Sequence, residues 1–246
     1  MAVSKYFTVT VKPTITASIL AGGTVASGDI LFDWTSFDIP KGAASLMSVT
    51  VLMRGTDGAR QTDRAFDLYF AKTVDGVEPG SLGTLSATAN GARYQNHLIG
   101  ATHIHTDDFK DGLDIMSVAS SGHGAAATQI PSVVLTGEPE TGTNVGFDKL
   151  YVACVSAGAL DFRSTVQCDG IQATSQAVLT VKTTSALTNF AVGDVLHDED
   201  DRAMGTVLTV DSATQMTMAA NLANATVNNK DLYNINPVTL ILSFEK

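Results

Sequence analysis

A two-residue period runs through most of the chain and constrains its fold more than any other feature. In "KYFTVTVK", Phe7, Val9 and Val11 share one face, and in "DILFDWTSF" so do Ile30, Phe32 and Trp34. The run "LMSVTVLMR" sets Met47, Val49, Val51 and Met53 against Ser48 and Thr50. In "AFDLYFAK", Phe66, Leu68 and Phe70 alternate with Asp67, Tyr69 and Ala71. The chain ends on "NPVTLILSFEK", with Val238, Leu240, Leu242 and Phe244 on one face. Successive side chains of a strand point to opposite faces, so runs of this kind need one face covered. Between them lie turn signals such as "AGG", "IPKG", "GTDG", "SSGHG" and "TGEPETG". There Gly supplies positive φ, and Asp or Asn bonds its own backbone. The pattern predicts an all-β fold, an antiparallel jelly-roll-like sandwich. Only "TDDFKDGLDIMSVA" reads as a short helix, with Thr106 as N-cap and acidic residues in the first turn.

The spacing changes near Cys168. Before it, strands are separated by long loops bearing Gly and Pro. After it they are short, Thr-rich and evenly spaced up to about Asn234. The expected organisation is a sandwich of residues 1–167 plus 236–246, with a small β-barrel, 168–235, inserted before the last strand. Two domains in series is the alternative. The long run "LYVACVSAGALDF" needs a neighbouring strand, which the C-terminal alternation supplies.

Within the second region, "NFAVGDVLHDEDDRAMGTVLTVDSATQMTMAANL" reads as strand, acidic turn, strand, turn, strand. Val-Gly-Asp makes a tight turn, "HDEDDR" is too charged to bury and is expected at a hairpin tip, and Gly205 lets the return strand start close to its partner. Phe190, Val192, Gly193, Asp194, Leu196, Gly205, Thr206, Val207, Val210, Ser212, Thr214, Thr217, Asp231, Tyr233 and Pro237 follow a pattern. It resembles a small β-module recurring in structural proteins of tailed bacteriophages, marine and cyanobacterial ones especially. Met218 replaces the usual Leu, a tolerable core exchange. The resemblance covers about a quarter of the chain, and the pattern is one of folding rather than chemistry. It implies a virion structural protein, made in the host cytoplasm, and assigns no residue a role. The expectation is a non-enzymatic capsid decoration or cement protein, homo-oligomeric on the particle, with the major capsid protein or other virion proteins as partners. A tail, neck or fibre-adaptor protein is the alternative within that class. A carbohydrate-binding β-sandwich is the alternative outside it.

Charge narrows the partners. Lys and Arg number 15 against 25 Asp and Glu, a formal net charge of −10. Phosphate neutralisation needs basic side chains, so neither nucleic acid nor an anionic membrane is expected as a partner. Charged residues are 16% of the chain, below the usual quarter, which suits a subunit packed against neighbours. "MAVSKYFTVTVKP" lacks the apolar core of a signal peptide, and no run is long enough to span a bilayer. Cys154 and Cys168 are too few for a disulfide framework and read as reduced thiols, with a single bridge left open.

The best ligand-like group is "THIHTDD". His103 and His105, at i and i+2 of a strand, face the same way and resemble the His-x-His pair of cupins. Asp107 and Asp108 follow, but the Glu and the later His of that family have no counterpart. No metal or other cofactor is therefore expected, and the pair reads as a polar strand face. The run "HDEDD" lacks the spacing and the glycine of a calcium loop. His97, and His123 with Ser120 or Ser121 nearby, lack a positioned acid and a nucleophile elbow. Trp34, Tyr69 and Tyr94 are candidates for a sugar platform, although Trp34 reads as core beside Ile30 and Phe32.

Overall fold

A computed structural model describes residues 5–16, 19–20, 24–55, 59–61, 64–89, 94–113, 115–122, 133–137, 147–162, 166–182 and 186–246. Its strands are β1 (Tyr6–Val11), β2 (Thr24–Val25), β3 (Ile30–Pro40), β4 (Ala44–Arg54), β5 (Phe66–Lys72), β6 (Leu98–Ile104), β7 (Phe109–Leu113), β8 (Met116–Gly122), β9 (Val133–Leu135), β10 (Phe147–Ser156), β11 (Leu160–Asp161), β12 (Val178–Thr180), β13 (Val195–Asp198), β14 (Ala203–Ser212), β15 (Gln215–Met218), β16 (Leu232–Asn234) and β17 (Val238–Glu245). The fold is all-β, as the period predicts, and every strand pairing is antiparallel.

Two sheets make a sandwich. One runs β1-β17-β4-β8-β7, with β9 also on β4, and the other runs β3-β10-β5-β6. Their inner faces share one core, including Phe32, Phe37, Val49, Val51, Phe66, Leu68, Phe70, Leu150, Val152, Leu240 and Leu242. The last strand lies inside the first sheet, not beside the run "LYVACVSAGALDF" as expected; that run's strand, β10, pairs with β3 and β5 in the other sheet. Val9 of β1 and Val49 of β4 both stand opposite Leu242. Val238, Leu240, Leu242 and Phe244 are buried, while Thr239, Ile241 and Ser243 are half-buried on the other face. Phe244 stacks on Phe7 at 5.1 Å and on Phe37 at 6.4 Å, and Phe37 meets Phe70 edge-on at 6.5 Å. A column of rings thus crosses from β1 through β17 to the opposite sheet. Such pairs add about 0.5–1.5 kcal/mol each beyond their buried area.

Three expectations about faces and elements are corrected. No helix follows Thr106. Thr106–Asp108 is one 3₁₀ turn whose N-cap is His105, and the chain then enters the β7–β8 hairpin. Residues 115–119 bury Ile115, Ser117 and Ala119 in alternation, and β8 covers the edge of β4 that a helix would have left unpaired. In β4, Leu46 rather than Met47 enters the core, because a bulge sets two residues of β4 against one step of β17. In β3, Trp34 does not share a face with Phe32. Pairing with β10 slips between Val152 and Cys154 and again between Cys154 and Val155. Leu31 and Phe32 therefore join the main core while Ile30 and Trp34 belong to the outer face.

The remaining sheet, β12-β15-β14-β13-β16, encloses a second core. Val166, Cys168, Leu179, Val181, Phe190, Leu196, Met204, Val207, Met216, Met218 and Leu232 belong to it, whereas Tyr233 and Ile235 belong to the main core. The segment entering this sheet bonds to both of its outer strands. Leu232 N–H donates to Val166 O on one side, and Lys182 N–H to Gln167 O on the other. Gly193, at φ +89°, makes the tight turn before β13. Arg54 of β4 clamps the unit from outside, donating from Nη1 to Asn189 O at 3.1 Å and from Nη2 to Asp194 Oδ1 at 3.2 Å. Burial raises the Asp194 carboxyl above its ordinary range, against the pull of the Arg54 charge.

Leu240→Ala is expected to destabilise the protein by about 2–5 kcal/mol in urea denaturation, since its site cannot collapse between two paired strands. A loss under about half a kcal/mol would place β17 at the surface. Because Val166–Leu232 packs around its own core, replacing it with a short Gly/Ser linker should leave a sandwich that unfolds cooperatively. Insoluble product at every linker length would show that the sandwich depends on the second unit.

Candidate functional site

The bulge that turns Trp34 outward builds the most site-like feature. Asp33 Oδ1 accepts the N–H of Trp34 at 2.8 Å and that of Leu82 at 2.9 Å. One carboxylate thus satisfies donors that the bulge leaves unpaired, and it anchors the covering loop to β3. The loop is also tied by Ile30 N–H to Ala87 O and Ser86 N–H to Ile30 O, both at 3.0 Å. Across the sheet, Tyr69 of β5 stands opposite Ala153 of β10. Trp34 flanks the same residue on β3, between Thr35 opposite Val152 and Phe32 opposite Cys154. Trp34 and Tyr69 are therefore two strands apart, roughly 10 Å at the backbone.

Tyr94 closes the third side. It is buried, its hydroxyl donates to Ser81 O, and its ring meets Trp34 at 5.9 Å and 66°. Together with Leu82, Leu98 and Val155 these rings line a pocket of about 230 Å³. Burial raises the Tyr69 hydroxyl pKa, with the Asp67 charge adding to it. The Trp34 indole N–H is buried and meets no acceptor among the described residues, an uncommon state for a buried donor. The structure thus gathers Trp34, Tyr69 and Tyr94 around one pocket, with Trp34 and Tyr94 at a steep angle rather than in one plane. The reading of Trp34 as core is corrected for the reason given above: the bulge reverses its face.

The other candidates fall elsewhere. His103 Nδ1 is 2.6 Å from Asp67 Oδ1, and the His103 and His105 rings meet edge-on at 4.1 Å. Asp108 Oδ2 is taken by the His105 N–H at 3.0 Å. Among the described residues no group of three His, Cys, Asp or Glu is placed to hold a metal. His97 Nδ1 lies 3.0 Å from Lys72 O. Ser120 Oγ bonds Thr50 Oγ1 at 3.2 Å, whereas His123 and the Ser121 side chain lie outside the described structure.

The acidic tip departs from expectation. Asp198 is fully buried. Its Oδ1 accepts the N–H groups of Asp200 and Arg202 at 3.1 and 3.0 Å, and its Oδ2 accepts from Arg202 Nε and Nη2 at 3.0 and 2.7 Å. His197 Nδ1 lies 2.8 Å from Asp201 Oδ1, and Lys230 pairs with Glu199 and Asp200. The run is a hairpin tip, but one carboxylate is the bracket that closes it. Burial is tolerated because four donors replace water. Pairing of this kind is invisible in the bare charge count.

Cys154 lies in the main core and Cys168 in the second, both as free thiols. Burial pushes Cys168 up to about 11 and Cys154 well above the usual thiol range. Among the described residues no helix is long and apolar enough to cross a membrane. No protein-family model and no curated protein matches the chain.

Asp198→Ala should cost about 2–4 kcal/mol, because it strands an arginine and two backbone donors. Asp200→Ala at the same tip should stay within about 1 kcal/mol, as for an exposed ion pair. Equal losses in thermal unfolding would refute the bracket role. A thiol-titrating reagent at neutral pH should label neither cysteine in the native protein and both after unfolding. Rapid native labelling would contradict their placement.

Proposed function

We propose that the chain is a non-enzymatic virion subunit of tailed-phage type: a capsid decoration or cement protein that binds the major capsid protein or another virion protein and is repeated over the particle as a homo-oligomer. The strand order supports a jelly-roll reading. Numbering the eight principal strands of the sandwich in chain order (β1, β3, β4, β5, β6, β8, β10, β17) gives 1-8-3-6 in one sheet and 2-7-4-5 in the other. That double-sheet arrangement serves viral capsid and lectin domains alike, so the fold alone does not carry the function.

The observation that carries the proposal is where apolar surface is left open. Ile171, Leu187, Val192, Leu208 and Val227, half of the ten exposed large hydrophobics among the described residues, all belong to the second unit. The Gln172–Thr226 bridge places Ile171 beside Val227. The bond from Gly193 N–H to Val207 O places Val192 beside Leu208. Exposed aliphatics set in neighbouring pairs suit a contact surface rather than a catalytic one. Each contact is small, and symmetric repetition on a shell multiplies it.

The test is a particle preparation lacking this chain, complemented with the native chain or with a Val192→Asp/Leu208→Asp variant. Particles without it should assemble but rupture at lower temperature. The native chain should restore stability, and the variant should fold yet fail to bind. Equally robust particles that no longer attach to cells would overturn the cement reading in favour of a tail or fibre-adaptor role.

A further inference from the structure

Independently of that reading, we infer that the pocket between Trp34, Tyr69 and Tyr94 is an aromatic cage for a small organic cation, a trimethylammonium group of the choline type. The two wall residues on the sheet stand on strands roughly 10 Å apart, with the buried Ala153 between them. The third ring stands at 66° to Trp34. Walls meeting at an angle surround a compact, rounded group. A pyranose instead stacks on one flat face and needs hydrogen-bonding groups around its rim. Here the lining is mostly apolar: the Tyr94 hydroxyl is spent on Ser81 O, Leu82, Ala89, Leu98 and Val155 make up most of the rest, and the polar groups left are those of Trp34, Tyr69 and Thr88. The volume of about 230 Å³ lies below the roughly 300–1,000 Å³ of sites for drug-sized ligands.

Charge selects among small ligands. A cation within about 6 Å of a ring centroid is drawn to the negative π face, and recognition of quaternary ammonium groups is the characteristic use of such cages. The protein's own cation–π pairs use Tyr6, Phe109 and Tyr151, so among the described residues these three rings have no internal cation. None of the described lining residues is charged, and acidic residues adjoin the lining along the chain and the sheet. Asp33 holds the backbone of both Trp34 and Leu82. Asp29 pairs with Thr88, which lines the pocket. Asp67 lies on the same face of β5 as Tyr69 and is near enough to raise its hydroxyl pKa. With a net charge of −10, the site repels anions and favours a cation that is too weakly hydrated to resist leaving water.

Trp34 is the only tryptophan of the chain, so its fluorescence reports on the pocket directly. Titration of the full chain with choline should shift Trp34 emission saturably. The neutral alcohol in which a quaternary carbon replaces the nitrogen should bind at least about tenfold more weakly, the charge being what the rings read. Tyr69→Leu should abolish the shift, Tyr69→Phe should keep it, and Asp67→Asn should weaken it a few-fold at low salt. Phosphatidylcholine vesicles tested beside phosphatidylglycerol vesicles identify the source. Co-sedimentation with the former alone assigns a lipid headgroup, and no co-sedimentation assigns the free cation. Equal binding of choline and its neutral isostere would make the pocket merely apolar. Saturation by methyl glycosides without a response to choline would make it a sugar site. Either result overturns the cage, as does choline binding that survives Tyr69→Leu.

Discussion

The structure depends on the antiparallel pairing of the last strand between β1 and β4. Tyr6 stands opposite Glu245, so the ladder between β1, at the edge of the first sheet, and β17 joins the two ends of the described chain. Until β17 arrives, β1 has no other partner in its sheet and β4 lacks one of its two principal neighbours. The inward faces of Val238, Leu240, Leu242 and Phe244 also fill the middle of the main core. Loop closure between such distant segments is entropically costly and slow. The second unit, lying between β11 and β17 in the chain, packs around its own core.

The same ladder explains why two units share one chain without sharing a core. Ile235 faces the main core, and its N–H donates to Val195 O of the second sheet at 3.0 Å, while its carbonyl accepts from Ile15 N–H at 2.8 Å. Pro237 O accepts from Arg54 N–H at 2.8 Å as β17 begins. The exit strand is therefore stitched to both units within three residues, and the side chain of Arg54 reinforces the same junction. A loop this heavily bonded acts as a rigid joint rather than a tether.

Much of this was legible in the sequence, and the misses share a physical cause. The strands and the buried face of β17 follow from period two alone, because a slip of one residue would send every apolar side chain to solvent. For Trp34 and Met47 the period points to the wrong face, because bulges break it and a bulge is set by pairing with a distant strand. The only local hint was Asp33, an acid in the middle of an apolar run. The segment after Thr106 looked helical because its caps are local, while the open edge of β4 that claims it is not. The burial of Asp198 is hidden because charge counts record no partners, although its partner Arg202 stands at i+4. Of the pocket, all three ring residues were identifiable, but their angle and their assembly from β3, β5 and a loop were not.

These misses bear on function unequally. A core strand tolerates little irregularity, since each unpaired N–H in it must find another acceptor. At β3 the irregularity persists because Asp33 supplies that acceptor for both the bulge and the loop above it. The carboxylate therefore couples two things that need not go together: the outward turn of an indole and the closure of a lid over it. Had the bulge served only to relieve strain between layers, a covering loop held by the same oxygen would have no purpose. A side chain that both exposes an aromatic surface and roofs it makes a concave site, whereas the contact surface of the second unit is built by leaving aliphatics uncovered. The two surfaces thus follow opposite construction rules, one enclosing a small volume and the other offering open area.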